Sequence, residues 1–326
     1  MSDSKLTVAP APFVHCGNSI RSIMLDFSIA LLPAAAVGVY RFGPKALCII
    51  SVCILAAVVA DIVAQKLTGR QITTGDFHAV FLGFMMAMLL PATVPVWAAI
   101  IGVLFAIIIG KHFFGGIGTN PFNPVLLGWV VLDLSWHGEI LRWVEPGMKS
   151  VNALVDYVEA PLEVLQRYSV VYTENITTTD LLLGAAPGPI GVAALAVIVG
   201  GIYLLVRGRI SWKIPAGFIA GLYGFAWIYW SMDPSRYAHP AFHLFSGTAM
   251  LGAFFLATDY PASPVTCAGR IIYGIGCGAM VMIIRIFGIF PDGVPFAILF
   301  MSLWTPIFDR IRPKVIGVVK GVGAGV

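Results

Sequence analysis

Apolar residues in this chain do not alternate with polar ones. They run in long blocks separated by short polar connections. Crossing a membrane as a helix takes about 20 mostly apolar residues, and ten blocks qualify, at roughly 24–40, 46–65, 78–92, 94–111, 122–136, 188–206, 213–230, 242–258, 271–290 and 293–309. The third is short and Pro91 divides it from the fourth. A broken or re-entrant segment is expected there, because proline removes an amide donor and crowds the preceding turn. The first 22 residues include Pro10 and Pro12 and lack the basic start, apolar run and small-residue cleavage site of a secretory signal.

These blocks predict an all-α integral membrane fold of about ten transmembrane helices, with both ends of the chain on one side. Charge gives the side. The connections on that side carry 13 basic residues and those on the other carry 6, with Arg285 left out as intramembrane. Basic residues concentrate in cytoplasmic loops, so both termini are expected in the cytoplasm and the one long connection, 137–187, in the periplasm of a bacterial inner membrane. That connection holds seven acids against three basic residues. Within it, 152–168 mixes apolar and charged positions as a short helix lying on a membrane surface would.

The long connection leaves a cytoplasmic segment 1–22, a five-helix half 23–136, a second half 188–309 and a tail 310–326. One half starts inside and the other outside, which is the arrangement of a 5+5 inverted repeat with short or broken helices. A loose internal echo agrees: His78 precedes Phe81-Leu-Gly-Phe as His243 precedes Phe245-Ser-Gly-Thr, and Phe114-Gly-Gly116 before Pro121-Phe122 is matched by Phe287-Gly288 before Pro295-Phe296.

Composition removes other classes. With 59% hydrophobic and 11% charged residues, against about 25% charged in an average soluble domain, much of the surface must face the lipid bilayer. A net charge of +4 is too small to argue for nucleic acid. Of the five cysteines, none forms a CxxC pair or a zinc-spaced cluster, so no metal is expected. Cys48 and Cys53, in an apolar run, read as small buried hydrophobes.

Polar groups at membrane depth are costly and point to function or to pairing. Arg285 lies deep in the ninth block: it faces an anionic ligand such as a flavin phosphate, or it snorkels or pairs with Asp292. Asp26 and Asp61 either belong to an ion path or pair with Arg21 and Lys66. Gly115-Gly-Ile-Gly-Thr-Asn-Pro-Phe-Asn-Pro124 offers Asn120 and Asn123 at a helix start, where free N–H groups bind anions and polar rings; the alternative is a tight turn that only begins the fifth helix. Ser246, Thr248, Thr258 and Asp259, preceded by His239 and His243, form a second polar set that lines a site or serves structure alone.

Several stretches together resemble the NqrB/RnfD family: Ile23-Met-Leu-Asp26 with Ala30-Leu-Leu-Pro33, Phe114-Gly-Gly116 with Asn120-Pro-Phe-Asn-Pro124, Asp180-Leu-Leu-Leu-Gly184, Phe242-His-Leu-Phe-Ser-Gly-Thr-Ala-Met through Ala257-Thr-Asp259, and Gly274-Ile-Gly-Cys-Gly278. The length is closer to the Rnf branch than to the sodium-pumping quinone reductase branch. The resemblance implies a membrane subunit of a multi-subunit complex that couples electron transfer between ferredoxin and NAD to ion translocation, not active alone, with other membrane subunits as partners and FMN or riboflavin as cofactor. A stand-alone channel or transporter for a small polar solute is the other reading of a ten-helix repeat, because fold does not fix function. The family joins FMN by a phosphoester to a threonine in a Ser-Gly-Ala-Thr motif before Pro-Leu. Here the matching stretch is Val155-Asp-Tyr-Val-Glu-Ala-Pro-Leu162. Ala160 has no oxygen to carry phosphate, so covalent FMN is not expected at that position, which leaves a non-covalent flavin or attachment at Thr173 or Thr177. Asn120, Asn123, His243, Ser246, Thr248, Asp259 and Arg285 are the candidate contacts for a non-covalent flavin.

Overall fold

The computed structural model describes residues 19–70, 72–147, 157–168, 170 and 176–311. Among these the fold is helical, and the one β-bridge pairs Trp143 with Val158. Helix occupies each of the ten predicted blocks. The first half contains α1 (Ile20–Phe42), α2 (Pro44–Leu67), α3 (His78–Leu89), α4 (Val96–Phe105, continued by a π-helical turn, Ala106–His112) and α5 (Pro124–Ile140). The long connection carries α6 (Pro161–Tyr168) and α7 (Thr178–Leu182). The second half contains α8 (Ala194–Val206), α9 (Lys213–Met232), α10 (Pro240–Phe245), α11 (Ala249–Leu251, continued by a π turn, Gly252–Leu256), α12 (Cys267–Phe287), α13 (Val294–Leu303) and α14 (Thr305–Phe308).

Helices α1, α2 and α12 are long and apolar enough to cross a membrane by themselves, while α3, α4 with its π turn, α8 and α13 are shorter apolar helices. The starts follow from local chemistry. Ser19, Asn123 and Thr266 each accept an amide hydrogen from the first turn of their helix, and Pro44 and Pro124 sit where a missing amide does no harm. Gly43, at φ 74°, ends α1 and starts α2 in one residue.

The lateral faces are apolar and unpaired: Leu47, Leu55, Val59 and Val63 on α2, Val199, Ile202 and Val206 on α8, and Trp227 and Ile228 on α9 are exposed. Such faces suit lipid, not water, and the chain is a multi-pass membrane protein. Helices α9 and α12 cross closely because Gly217 and Gly221 on one meet Gly274 and Gly278 on the other; a Cβ on Gly217 would stand 3.3 Å from the Gly274 Cα. Paired small-xxx-small motifs let backbones approach in this way.

Two helices are broken. Helix α3 stops at Leu89 before Pro91 and is buried almost throughout, so its loose end faces protein. The carbonyls of Met88 and Leu90 accept the amides of Gly191 and Ile190 from the second half, at 2.9 and 3.0 Å. The block read as a continuous helix over 242–258 is instead interrupted at Ser246–Thr248, with Gly247 at φ 66°. Unpaired backbone is tolerated at membrane depth only when protein satisfies it.

Other expectations are corrected. The predicted surface helix over 152–168 is α6, from 161, and residues 148–156 lie outside the described residues. Its Leu162 is buried with Leu181, Ala186, Ala238 and Phe242, so α6 packs on α7 and α10 rather than resting its apolar side on lipid. Cys53 is buried, but Cys48 is exposed; Cys16 lies outside the described residues. Asp26 pairs with Arg207 and Arg209, the latter at 2.6 Å, while Arg21 lies over the Phe77 ring. Asp61 pairs with Lys111 at 2.8 Å and with His112 at 2.7 Å, not with Lys66.

Candidate functional site

The seven candidate residues fall into two sets at opposite ends of α12. His243, Ser246, Thr248 and Arg285 gather at the end that carries the long connection. Arg285 is fully committed there: its Nε–H donates to the Asp292 carbonyl (3.0 Å), Nη1–H to the His243 carbonyl, and Nη2–H to the Ser246 carbonyl (3.2 Å) and the Asp292 carboxylate (2.9 Å). The other Asp292 oxygen accepts the Thr248 amide at 2.9 Å and the Thr248 hydroxyl. A broken helix leaves carbonyls without partners, and this arginine–aspartate pair supplies them, tying α10 and α11 to α12 and α13. The reading of Arg285 as a partner of Asp292 therefore agrees with the geometry. The Nδ1 of His243 and the hydroxyl of Ser246 remain buried without a partner.

Asn120, Asn123 and Asp259 gather at the other end. Asn123 caps α5 through the Val125 amide (3.0 Å) and donates to the carbonyl of Leu256, the last residue of the second half's π turn, at 3.3 Å. Asn120 donates to the Phe122 carbonyl (2.8 Å) and lies beside the Asp259 side chain. One oxygen of Asp259 is buried without a partner. Asp259 lies close to Tyr273. From Tyr273 to Arg285 is 285 − 273 = 12 residues, or about 18 Å along α12, so the two sets stand more than three helical turns apart.

A cavity of about 50 Å³ opens beside the first set. Trp129, Asp133 and His137 of α5, Ala160 and Glu163 of the long connection, and Thr248 and Asp292 line it. Asp133 is buried; one oxygen pairs with His137 at 2.9 Å and the other has no partner. The sequence reading passed over this pair, although an acid and a histidine four residues apart on an apolar helix mark one face. Glu163 accepts the Trp143 indole N–H at 2.7 Å and the Ala160 amide at 3.3 Å, so it caps the helix it begins. Burial pushes its carboxyl above the usual carboxylate range, and these two hydrogen bonds pull the other way.

Ala160 stands in the cavity wall and presents only a methyl group. The space holds a few water molecules, far less than an isoalloxazine ring. Thr177 is already the cap of α7: its hydroxyl lies 2.5 Å from the Asp180 carboxylate and accepts the Asp180 amide. Thr173 lies outside the described residues. Ala160 offers no oxygen for a phosphoester, whereas the Thr177 hydroxyl is exposed and engaged only in its own helix cap. Among the described residues, no group of three metal-ligating side chains forms a metal site.

Apolar helices, two of them broken, with one loose end completed by backbone amides from the other half and the other by a buried arginine–aspartate pair, define a polytopic membrane protein with its polar chemistry concentrated at the breaks. A family model described as the NQR2, RnfD, RnfE family matches residues 7–317, and the chain belongs to that family. It is 39% identical to the D subunit of the Na(+)-translocating ferredoxin:NAD(+) oxidoreductase complex of Acetobacterium woodii, with 98% of each chain covered. It is 34% identical to the D subunit of the proton-translocating ferredoxin:NAD(+) oxidoreductase complex of Clostridium ljungdahlii, over 95% of each. To the D subunit of the ion-translocating oxidoreductase complex of Halorhodospira halophila it is 33% identical over 94% of each.

Proposed function

We propose that this chain is the D subunit of an Rnf-type complex in the bacterial inner membrane, working with other membrane subunits to couple electron transfer between ferredoxin and NAD to ion translocation. The observation that carries the reading is the end-to-end match: family-wide over residues 7–317, and at 39% identity to one complex's D subunit over nearly its whole length.

Ten crossings are supported by the way loop contacts sort. Arg70 reaches Gly115, Arg209 reaches Asp26 and Ser22, Lys213 reaches Cys267, and Asp309 reaches Val265. Separately, Gly147 reaches Arg41, Thr93 reaches Arg142 and Gln166 reaches Gly288. Each contact joins connections that ten alternating crossings put on one side. The inverted repeat is supported by a matching pair of buried clusters. His78 begins α3 and feels Lys111 near the end of α4; His243 sits in α10 and feels Arg285 near the end of α12. Both histidines keep a buried Nδ1 without a partner. A flavin, where bound, is held without a bond to residue 160.

Removing this chain from a strain that makes the complex tests the proposal. Ferredoxin-dependent NAD⁺ reduction by membrane vesicles, and the ion uptake driven by it, should both disappear and return with the wild-type chain. Unchanged activity in vesicles lacking the chain would sink the assignment. Repeating the assay with and without sodium identifies the ion.

A further inference from the structure

A second cleft, of about 380 Å³, lies behind α6 at the end that carries the long connection. Arg167, Arg236 and Tyr237 form its walls, His243 and Arg285 its floor, and Phe287 its rim, and among the described residues no carboxylate lines it. The charges are not equally spent. Arg285 is neutralised by Asp292, and Arg167 pairs with Glu159 at 2.7 Å through a side chain that stays 64% exposed. Arg236 is exposed and stands 5.6 Å from the Tyr237 ring. Its charge is felt by the half-buried Asp233, but it makes no ion pair among the described residues. The floor adds a group in need of a partner: His243 is 4% exposed, and its buried Nδ1 has no hydrogen bond among the described residues.

The surroundings define the rest of the ligand. Two long apolar helices end here, α9 at Met232 and α12 at Phe287. Phe287 and Ile289 are 70% and 83% exposed, and the aromatic rings of Trp227, Trp230 and Tyr229 stand in the last turns of α9. Tryptophan and tyrosine collect at the level of lipid headgroups. A ligand that sets an anion against guanidinium groups and hydrocarbon against Phe287 and Ile289 is amphiphilic. Guanidinium matches the fork of phosphate oxygens. We infer that this cleft holds the phosphate of an anionic phospholipid headgroup, with Arg236 and Arg167 as its ligands and the acyl chains over Phe287 and Ile289. The inference requires only that the chain spans a membrane; it does not depend on the Rnf assignment.

The test uses the full chain, purified with its co-purifying subunits in mild detergent and exchanged into nanodiscs of phosphatidylglycerol mixed with phosphatidylcholine. Native mass spectrometry should find phosphatidylglycerol retained in preference. R236A and R167A should each weaken retention about fivefold, since a basic side chain at an anionic surface contributes about 1 kcal/mol, and R236K, which keeps the charge but not the fork, should recover only part of it. Arg236 is exposed and outside every helix, so R236A folds and the test stays open even if the double variant R167A/R236A is not recovered. Equal retention of the two lipids, or wild-type retention by R236A, overturns the inference. So does displacement of the lipid by excess inorganic phosphate or FMN, which would assign the cleft to a free phosphate instead.

Discussion

Removing the Asp61 carboxylate strands a cation. Lys111 and Asp61 are both completely buried, and deleting one partner of such a pair costs about 3–5 kcal/mol. D61A should therefore lower the thermal unfolding midpoint in detergent sharply, and D61A/K111M should recover most of the loss by removing the stranded charge. Local candidates for this pairing failed for a geometric reason. Arg21 and Lys66 are each five positions from their aspartates, about 140° round a helix, so they face elsewhere; the true partners arrive from distant turns. Arg285 and Asp292 were legible because both flank one helix end. Glu163 carries a second prediction. E163A leaves the Trp143 indole N–H without its acceptor, at about 1–3 kcal/mol. Because burial raises this carboxyl above its ordinary 4.5, the folded chain holds the proton more readily than the unfolded one. Its stabilising contribution is complete below pH 4.5 and is lost as pH rises through the raised value. Melting curves of E163Q should be flatter across that window than those of wild type. Ala160 gives the third: denatured chain on a gel should show no flavin fluorescence, and A160T alone should not restore it, since Val158 and Glu159 also depart from the motif and Glu159 sets a negative charge beside an incoming phosphate. A flavin-bearing peptide containing Thr173 or Thr177 would refute this.

Helix positions were legible almost throughout, because apolar runs in this chain are long and bounded by proline, glycine and charge. What could not be read were the interruptions set by distant groups. Pro91 announces the end of α3 in its own sequence. The break after α10 is held open by Asp292, which bonds Thr248 from 44 positions away, and Ser246-Gly-Thr248 alone does not distinguish a break from a polar turn of continuous helix. Likewise α6 shows its two faces in sequence but not that Leu181 and Phe242 cover one of them. At this scale the α9–α12 crossing is the sharpest target. A side chain on Gly278 would drive into the Phe218 carbonyl and the Leu222 amide, whereas Gly224 on the outer face of α9 meets nothing within 4 Å. G278L should abolish accumulation of folded protein, measured by size-exclusion chromatography with a fluorescent fusion, and G224A should leave it unchanged.

For the whole molecule, ten crossings make a two-sided prediction. Cysteine placed at Ser211, between α8 and α9, should react with a membrane-impermeant maleimide only in inverted vesicles, and cysteine at Ser235, between α9 and α10, only in right-side-out cells. Labelling of both from one side would remove a crossing. The halves are also mutually unfinished: the carbonyls of Met88 and Leu90 wait for the amides of Gly191 and Ile190, and Leu256 waits for Asn123. During synthesis, Leu90 leaves the ribosome 100 residues ahead of Ile190, about 5–20 s at ordinary elongation rates. Throughout that interval the Met88 and Leu90 carbonyls lack the partners they have in the finished fold. The end of α3 is therefore completed only when the second half arrives, so a chain truncated before Gly191 should be degraded faster than the full chain, which pulse-chase labelling in cells checks.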